Sequence, residues 1–157
     1  MLISKLIHFS LIPIVVICLS SACDRPDEFR FPYVEMNITM NILTDAEFIS
    51  LQAPSMSLEI INHPNGNTTI GYDNNGIILF NSGDYNEPFY AFDRTCPHDL
   101  PKSIAIELDG SVAICPSCKS VYVLPSEGQP TKGSVSKYFL HKYRTNYYPN
   151  GNLFIGN

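Results

Sequence analysis

The sequence predicts a single antiparallel domain that is nearly all β. Apolar and polar residues alternate along its first strand-like segment, and short apolar runs separated by Asn-Gly, Asp-Gly and Ser-Gly dipeptides fill the rest. Alternation with a period of two places successive side chains on opposite faces of a strand. Asn-Gly and Asp-Gly readily adopt the positive φ angles of two-residue hairpin turns. With 157 residues, of which 45% are apolar and 16% charged, the chain has room for one domain with a core.

The first expected strand begins at Val34, where apolar residues occupy every second position as far as Ile42. Residues 44–47 have capping-box spacing and predict a helical turn or two, which Pro54 ends. The remaining expected strands are the apolar runs 58–61, 69–72, 77–80, 89–92, 104–108, 112–114, 121–124, 138–143 and 153–155. Turn dipeptides between several of these runs favour hairpins, and hence an antiparallel sheet.

Net charge excludes one large class of partner. The formal charge is −5 at pH 7, and the lysines and arginines form no cluster. Binding to a phosphate backbone needs a basic surface. We therefore expect no nucleic-acid partner.

The N-terminal segment has the features of an export signal. A start with one charge, at Lys5, precedes an apolar run over residues 6–19, and small residues lead directly to Cys23. The apolar run is short for a membrane span, so a secretory signal is favoured. A cysteine directly after the small residues resembles the bacterial lipoprotein signal, in which that cysteine is diacylated and becomes the mature N-terminus.

This resemblance implies three segments: a signal peptide over residues 1–22, a lipidated N-terminus and tether over 23–33, and a domain over 34–157. Cys23 would carry the lipid and anchor the protein to a membrane of the bacterial cell envelope, with the outer membrane favoured and the domain outside the cytoplasm. A plain secreted protein and an uncleaved anchor are the other interpretations.

Three cysteines and one histidine remain together in the expected domain. Cys96 and His98 lie in one predicted loop, and Cys115 and Cys118 lie in a second, with sixteen residues between His98 and Cys115. Thiolates and imidazoles are ligands that zinc and iron accept. Because the intervening residues predict a hairpin, the two loops can meet around one metal centre.

The order Cys-x-His, spacer, Cys-x-x-Cys resembles the Rieske iron-sulfur proteins, which have Cys-x-His, a spacer of similar length and Cys-x-x-His. Ser120 and Tyr122 follow the second loop as in that family, and Gly128, Pro130, Gly133 and Tyr143 lie where its later motif would fall. The chain looks like a Rieske-like bacterial lipoprotein. The resemblance implies an antiparallel β sandwich or barrel with a small cluster-binding subdomain formed by two hairpin loops.

For the site, the resemblance implies a [2Fe-2S] cluster used for one-electron transfer. Cys96 and Cys115 would hold one iron, His98 and Cys118 the other, and Ser120 and Tyr122 would donate hydrogen bonds to the cluster sulfurs. The protein would be an electron carrier, rather than an enzyme, with a redox partner protein that the sequence does not identify. The chain departs from the family at Cys118, where the family has histidine, and at Lys119, where it has glycine. A cysteine pair joining the loops is absent, since Pro101 and Ser117 stand in those places.

The residues themselves leave other interpretations open. Three cysteines and a histidine also suit a structural zinc ion, and outside the cytoplasm two of the cysteines could form a disulfide. The segment before Cys23 has no twin arginine, which is typical of export as an unfolded chain. A cluster would then have to be assembled after export. A Rieske-like scaffold without a cluster, acting as a structural or binding lipoprotein, is therefore the alternative function.

The anchor is testable by substitution. Cys23→Ala should release the protein from membranes into the soluble fraction, because each buried CH₂ of an acyl chain contributes about 0.8 kcal/mol to membrane binding. Fractionation and detergent partitioning of both proteins measure this. Unchanged partitioning of the variant would place the anchor elsewhere.

Overall fold

The structure is a computed structural model, which describes residues 31–66 and 68–157. The expected signal over 1–22 and the expected lipidation site Cys23 lie outside the described residues, as does most of the tether. Within the described ranges, no helix is both long enough and apolar enough to cross a membrane.

Short strands make up most of the regular structure. In chain order they are β1 (Asn37–Asn41), β2 (Ser57–Ile60), β3 (Ile77–Asn81), β4 (Phe89–Asp93), β5 (Glu107–Asp109), β6 (Val112–Ile114), β7 (Val121–Val123), β8 (Gln129–Pro130), β9 (Lys142–Tyr147) and β10 (Asn152–Gly156). The helical segments in the described part of the chain are short 3₁₀ helices at Ala46–Gln52, Tyr72–Asn74, Leu100–Lys102 and Leu124–Ser126.

The strands form two antiparallel sheets. The larger has six strands in the order β1-β10-β9-β4-β3-β2, and the smaller has four in the order β5-β6-β7-β8. All strand pairs in the described part of the chain are antiparallel. The predicted all-β antiparallel fold with a small subdomain is therefore confirmed.

The centre of the large sheet separates two apolar cores. Ile77 and Leu79 of β3 pack into a core with β1, β10 and the first 3₁₀ helix. Ile78 and Phe80, which alternate with them, pack on the other side against the small sheet and the cysteine loops. Every residue of β3 is buried, which explains why its sequence is a continuous apolar run rather than an alternating one.

The predicted turns and the first strand are confirmed in their main features. Asp109-Gly110 lies at the β5–β6 hairpin and Asn150-Gly151 at the β9–β10 hairpin. Met36, Ile38, Met40 and Ile42 are all buried, although the hydrogen-bonded strand covers only the middle of that segment.

The helical turn predicted after Thr44 is confirmed as the 3₁₀ helix Ala46–Gln52, which ends before Pro54. Its predicted capping box is absent, because the Thr44 hydroxyl donates to Asp45 Oδ1 and the Asp45 carboxylate accepts a hydrogen bond from the backbone N–H of Asn41.

Two strand predictions were wrong. Of the run 138–143, only residues 142 and 143 lie in a strand, β9. The run 69–72 is not a strand. It contributes an isolated bridge between Asn62 and Thr69 and then enters the 3₁₀ helix at Tyr72.

Gly128 offers a test of how the chain packs behind the cysteine loops. Its φ is +72°, and an added Cβ would lie 2.8 Å from Cβ of Leu140 and 3.1 Å from a ring carbon of Phe92. Gly128→Ala should lower the free energy of unfolding by about 2–4 kcal/mol, through both the backbone penalty and overpacking. Urea denaturation measures the loss.

Gly110→Ala is the matched control. Gly110 also has a positive φ, +58°, but its Cβ would meet nothing within 4 Å. Its substitution should cost only the backbone penalty, about 1–2 kcal/mol. Equal losses for the two variants would contradict the close packing at Gly128.

Candidate metal centre

Two loops lie side by side at one end of the small sheet. The first loop, residues 95–99, follows β4 and precedes the chain that leads to β5. The second loop, residues 115–118, connects β6 to β7. The predicted hairpin of β5 and β6 between them brings the loops together, as the sequence spacing predicts.

A buried carboxylate fixes the start of the first loop. Asp93, the last residue of β4, is fully buried. It accepts hydrogen bonds from the backbone N–H of Tyr72 at 2.7 Å, the backbone N–H of Thr95 at 2.8 Å and the hydroxyl of Tyr143 at 2.7 Å. Buried carboxylates are stable only when such donors replace water. The position of Cys96 therefore depends on β4, β9 and the Tyr72 turn together.

The structure brings the three cysteine sulfurs together. Cys96 and Cys115 are fully buried and Cys118 is partly buried. The Sγ atoms of Cys96 and Cys118 are 3.7 Å apart, far longer than the ~2.05 Å of a disulfide. All three are free thiols, so the disulfide interpretation is not what the structure shows.

The fourth member of this group is a carboxylate. Asp99 is only 5% exposed, and its Oδ2 lies 3.5 Å from Cys115 Sγ. One donor atom from each of Cys96, Asp99, Cys115 and Cys118 lies within 4.8 Å of all the others. The ammonium of Lys102 contacts Oδ1 at 2.9 Å. Hydrogen bonding to Lys102 lowers the pKa of Asp99 to about 2.

His98 lies on the exposed side of the first loop and is not part of the four-residue group. Its role as a ligand stays a prediction. Asp99 was not predicted from the sequence, because the resemblance implies a ligand at the histidine of Cys-x-His. The signal was nevertheless present: Asp99 stands three residues after Cys96, as Cys118 stands three residues after Cys115.

Two hydroxyls contact the sulfurs. The hydroxyl oxygen of Tyr122 is 3.3 Å from Cys96 Sγ, and Ser120 Oγ is 3.2 Å from Cys118 Sγ. The backbone N–H of Ser136 also donates to Ser120 Oγ, at 2.8 Å. Burial is the main cause, and the contact with Cys96 the second, that raises the pKa of Tyr122 well above its usual value. The Tyr122 hydroxyl therefore keeps its proton. Both residues therefore lie against cysteine sulfurs, and their hydrogen bonding to a cluster stays a prediction.

Burial controls the protonation of the two inner thiols. It raises the pKa of Cys96, and it raises the pKa of Cys115 to about 12. Backbone N–H groups oppose this shift: those of His98 and Asp99 donate to Cys96, and those of Ser117 and Cys118 donate to Cys115. Without a cation these thiols are protonated at neutral pH, so metal binding must release their protons.

Comparison with known proteins gives structural neighbours only, since no family model and no curated protein matches the sequence. A quaternary ammonium Rieske monooxygenase is 18% identical, with a TM-score of 0.49 over 78% of this chain and 31% of its own. A chain from a complex of reduced oxygenase and oxidized ferredoxin in carbazole 1,9a-dioxygenase is 16% identical, with a TM-score of 0.46 over 78% of this chain and 94% of its own. The ferredoxin of Sphingomonas yanoikuyae B1 is 12% identical, with a TM-score of 0.41 over 67% of this chain and 88% of its own.

One of these neighbours, the monooxygenase, is named as a Rieske protein. Rieske proteins are also the class that the cysteine and histidine motif resembles. The present chain spans about a third of that monooxygenase, and identities this low concern the fold. The function of this chain is therefore inferred from its own side chains.

The exposure of the thiols predicts an order of alkylation. In metal-free protein at pH 8, iodoacetamide should modify Cys118 first, and Cys96 and Cys115 at least about tenfold more slowly, because burial and a raised pKa leave little reactive thiolate. Raising the pH should speed modification of the two inner cysteines, since their folded-state pKa values lie above the ordinary value. Peptide mass spectrometry over time measures each rate. Equal rates in the folded protein would contradict the burial of Cys96 and Cys115, and urea-unfolded protein provides the equal-rate control.

Proposed function

We propose that this chain is an exported, lipid-anchored Rieske-type protein that holds a [2Fe-2S] cluster between its two loops and transfers one electron at a time. The observation that carries the proposal is the convergence of three free cysteine sulfurs, two of them in contact with side-chain hydroxyls. The Cys-x-His and Cys-x-x-Cys spacing supports the same conclusion.

The donor chemistry fits iron. A [2Fe-2S] cluster takes four protein ligands, and thiolates are its usual ones. Cys96, Cys115 and Cys118 supply three, and a side chain of the first loop supplies the fourth. When bound, the cluster provides a one-electron redox couple. The cation also offsets the cost of keeping thiolates in a buried site, a cost that the raised pKa values of Cys96 and Cys115 express.

The two hydroxyls have a defined role in this function. In the structure the Cys118 thiol donates to Ser120 Oγ. A metal-bound thiolate can only accept, so Tyr122 and Ser120 would donate to the ligand sulfurs and thereby stabilise the more negative, reduced state. Because both hydroxyl groups are buried, their effect is not weakened by competing water. They would therefore raise the reduction potential of a bound cluster.

Cys118 acts in the opposite direction. A thiolate in place of a neutral imidazole adds one negative charge, which makes reduction less favourable. We therefore expect a potential below the Rieske range of roughly −150 to +300 mV, toward the plant-type value of about −400 mV.

A single zinc ion is the second candidate, and the spacing of the donor atoms favours it. A tetrahedral site with metal–sulfur bonds of about 2.3 Å has edges of about 3.8 Å. The separation of Cys96 Sγ and Cys118 Sγ, 3.7 Å, is close to that edge. In this case the centre would stabilise the loops and the protein would be a structural or binding module.

The setting is part of the proposal. Acylation at Cys23 would hold the domain at a membrane of the bacterial envelope, with the outer membrane favoured and the domain outside the cytoplasm. Its redox partner would be a protein in the same compartment. No nucleic-acid partner is proposed, because the chain is acidic.

Metal and sulfide analysis separates the candidates. The full chain, purified in detergent and reconstituted with iron and sulfide, should be brown, with two irons and two acid-labile sulfides per chain. A colourless protein with one zinc would establish the second candidate instead. A well-folded protein that binds neither iron nor zinc would contradict both.

A further inference from the structure

The two loops share one local design. The first reads Cys96-Pro97-His98-Asp99 and the second reads Cys115-Pro116-Ser117-Cys118. In each, the N–H of the leading cysteine donates to a carbonyl of the returning chain at 2.9 Å, that of Ile104 in one loop and that of Ser120 in the other. In each, the backbone N–H groups of the third and fourth residues lower the pKa of the leading cysteine.

Because of this shared design, the third residues of the two loops point in one common direction and the fourth residues in another. The third residues, His98 and Ser117, are both exposed. The fourth residues, Asp99 and Cys118, both belong to the group of donor atoms that lie within 4.8 Å of one another. Position four, rather than position three, therefore faces the site in both loops.

We propose that Asp99 is the fourth metal ligand and that the donor set is three cysteines and one aspartate. The inference rests on the proposed metal centre. The donor atoms as they stand fit a single ion of iron or zinc, because both metals accept oxygen donors alongside sulfur. A [2Fe-2S] cluster with Cys118 on its second iron would use the same side chains with the two loops further apart.

The two oxygens of the Asp99 carboxylate have separate partners. Oδ2 lies 3.5 Å from Cys115 Sγ, on the side of the sulfurs, while Oδ1 accepts a hydrogen bond from Lys102 at 2.9 Å. This arrangement suits a monodentate ligand whose second oxygen is held by an outer partner. The exposed side chain of His98 has no place in this group.

Cobalt(II) binding to the full chain in detergent tests the assignment, since thiolate-bound Co(II) absorbs visibly and near-ultraviolet charge-transfer intensity rises with the number of thiolates. Asp99→Asn should weaken Co(II) binding by about 100-fold or more, since loss of even an outer-shell partner costs 10–100-fold. Asp109→Asn makes the same charge change at an exposed turn and should leave the affinity within about threefold, as expected of a substitution far from any ligand. His98→Asn tests the rival ligand and should have the same small effect.

A pair of cysteine substitutions tests the assignment even if Asp99→Asn folds poorly. Asp99→Cys should retain Co(II) and increase the thiolate charge-transfer absorption, because a fourth sulfur joins the metal. His98→Cys should not increase it. The opposite pattern, with binding lost in His98→Asn and absorption increased in His98→Cys, would overturn the assignment and leave the proposed metal centre intact. A wild-type protein that binds neither Co(II) nor an iron-sulfur cluster would overturn both.

Discussion

The buried carboxylate of Asp93 is the interaction on which the site most depends. It joins three parts of the chain that are distant in sequence: the Tyr72 turn, the start of the first loop at Thr95, and Tyr143 on β9. Loss of any one donor would leave a buried charge undersatisfied, which costs more than the hydrogen bond itself is worth. The first loop is therefore fixed to the large sheet, whereas the second belongs to the small sheet, and the relative position of Cys96 and Cys115 follows from how the two sheets pack.

That packing is apolar and is shared between the site and the core. Cys96, Cys115 and Tyr122 belong to the same buried cluster as Ile78, Phe80 and Phe92 of the large sheet. The inner thiols are consequently dry, and dryness has two effects. It opposes thiolate formation in the absence of metal, and it strengthens the interaction of a bound cation with its ligands and of the hydroxyls with the sulfurs. Burial therefore makes the thiolates unfavourable without a metal and strengthens their interaction with a metal once it is bound.

Much of this was predictable from the sequence, and the limits have physical causes. The hairpin turns at Asp109-Gly110 and Asn150-Gly151 were predictable because their φ angles are encoded locally. The convergence of Cys96, Cys115 and Cys118 followed from loop spacing. The Asp93 network was not predictable, since its partners lie 21 and 50 residues away. The spacing of Asp99 three residues after Cys96 is visible in the sequence, but the direction of its side chain depends on the turn that the loop adopts. The sequence shows Lys119 where the family that it resembles has glycine, but only the structure shows that this lysine takes a positive φ of +59°.

X-ray absorption at the metal edge tests the central claim most directly, because it reports the ligand atoms themselves. Measured on the reconstituted full chain, the iron spectrum should show a shell of sulfur neighbours, a second iron close by, and one oxygen in the first shell. The sulfur shell should disappear when the three cysteines are replaced by serine. A metal surrounded only by oxygen and nitrogen in the wild-type protein would contradict the account.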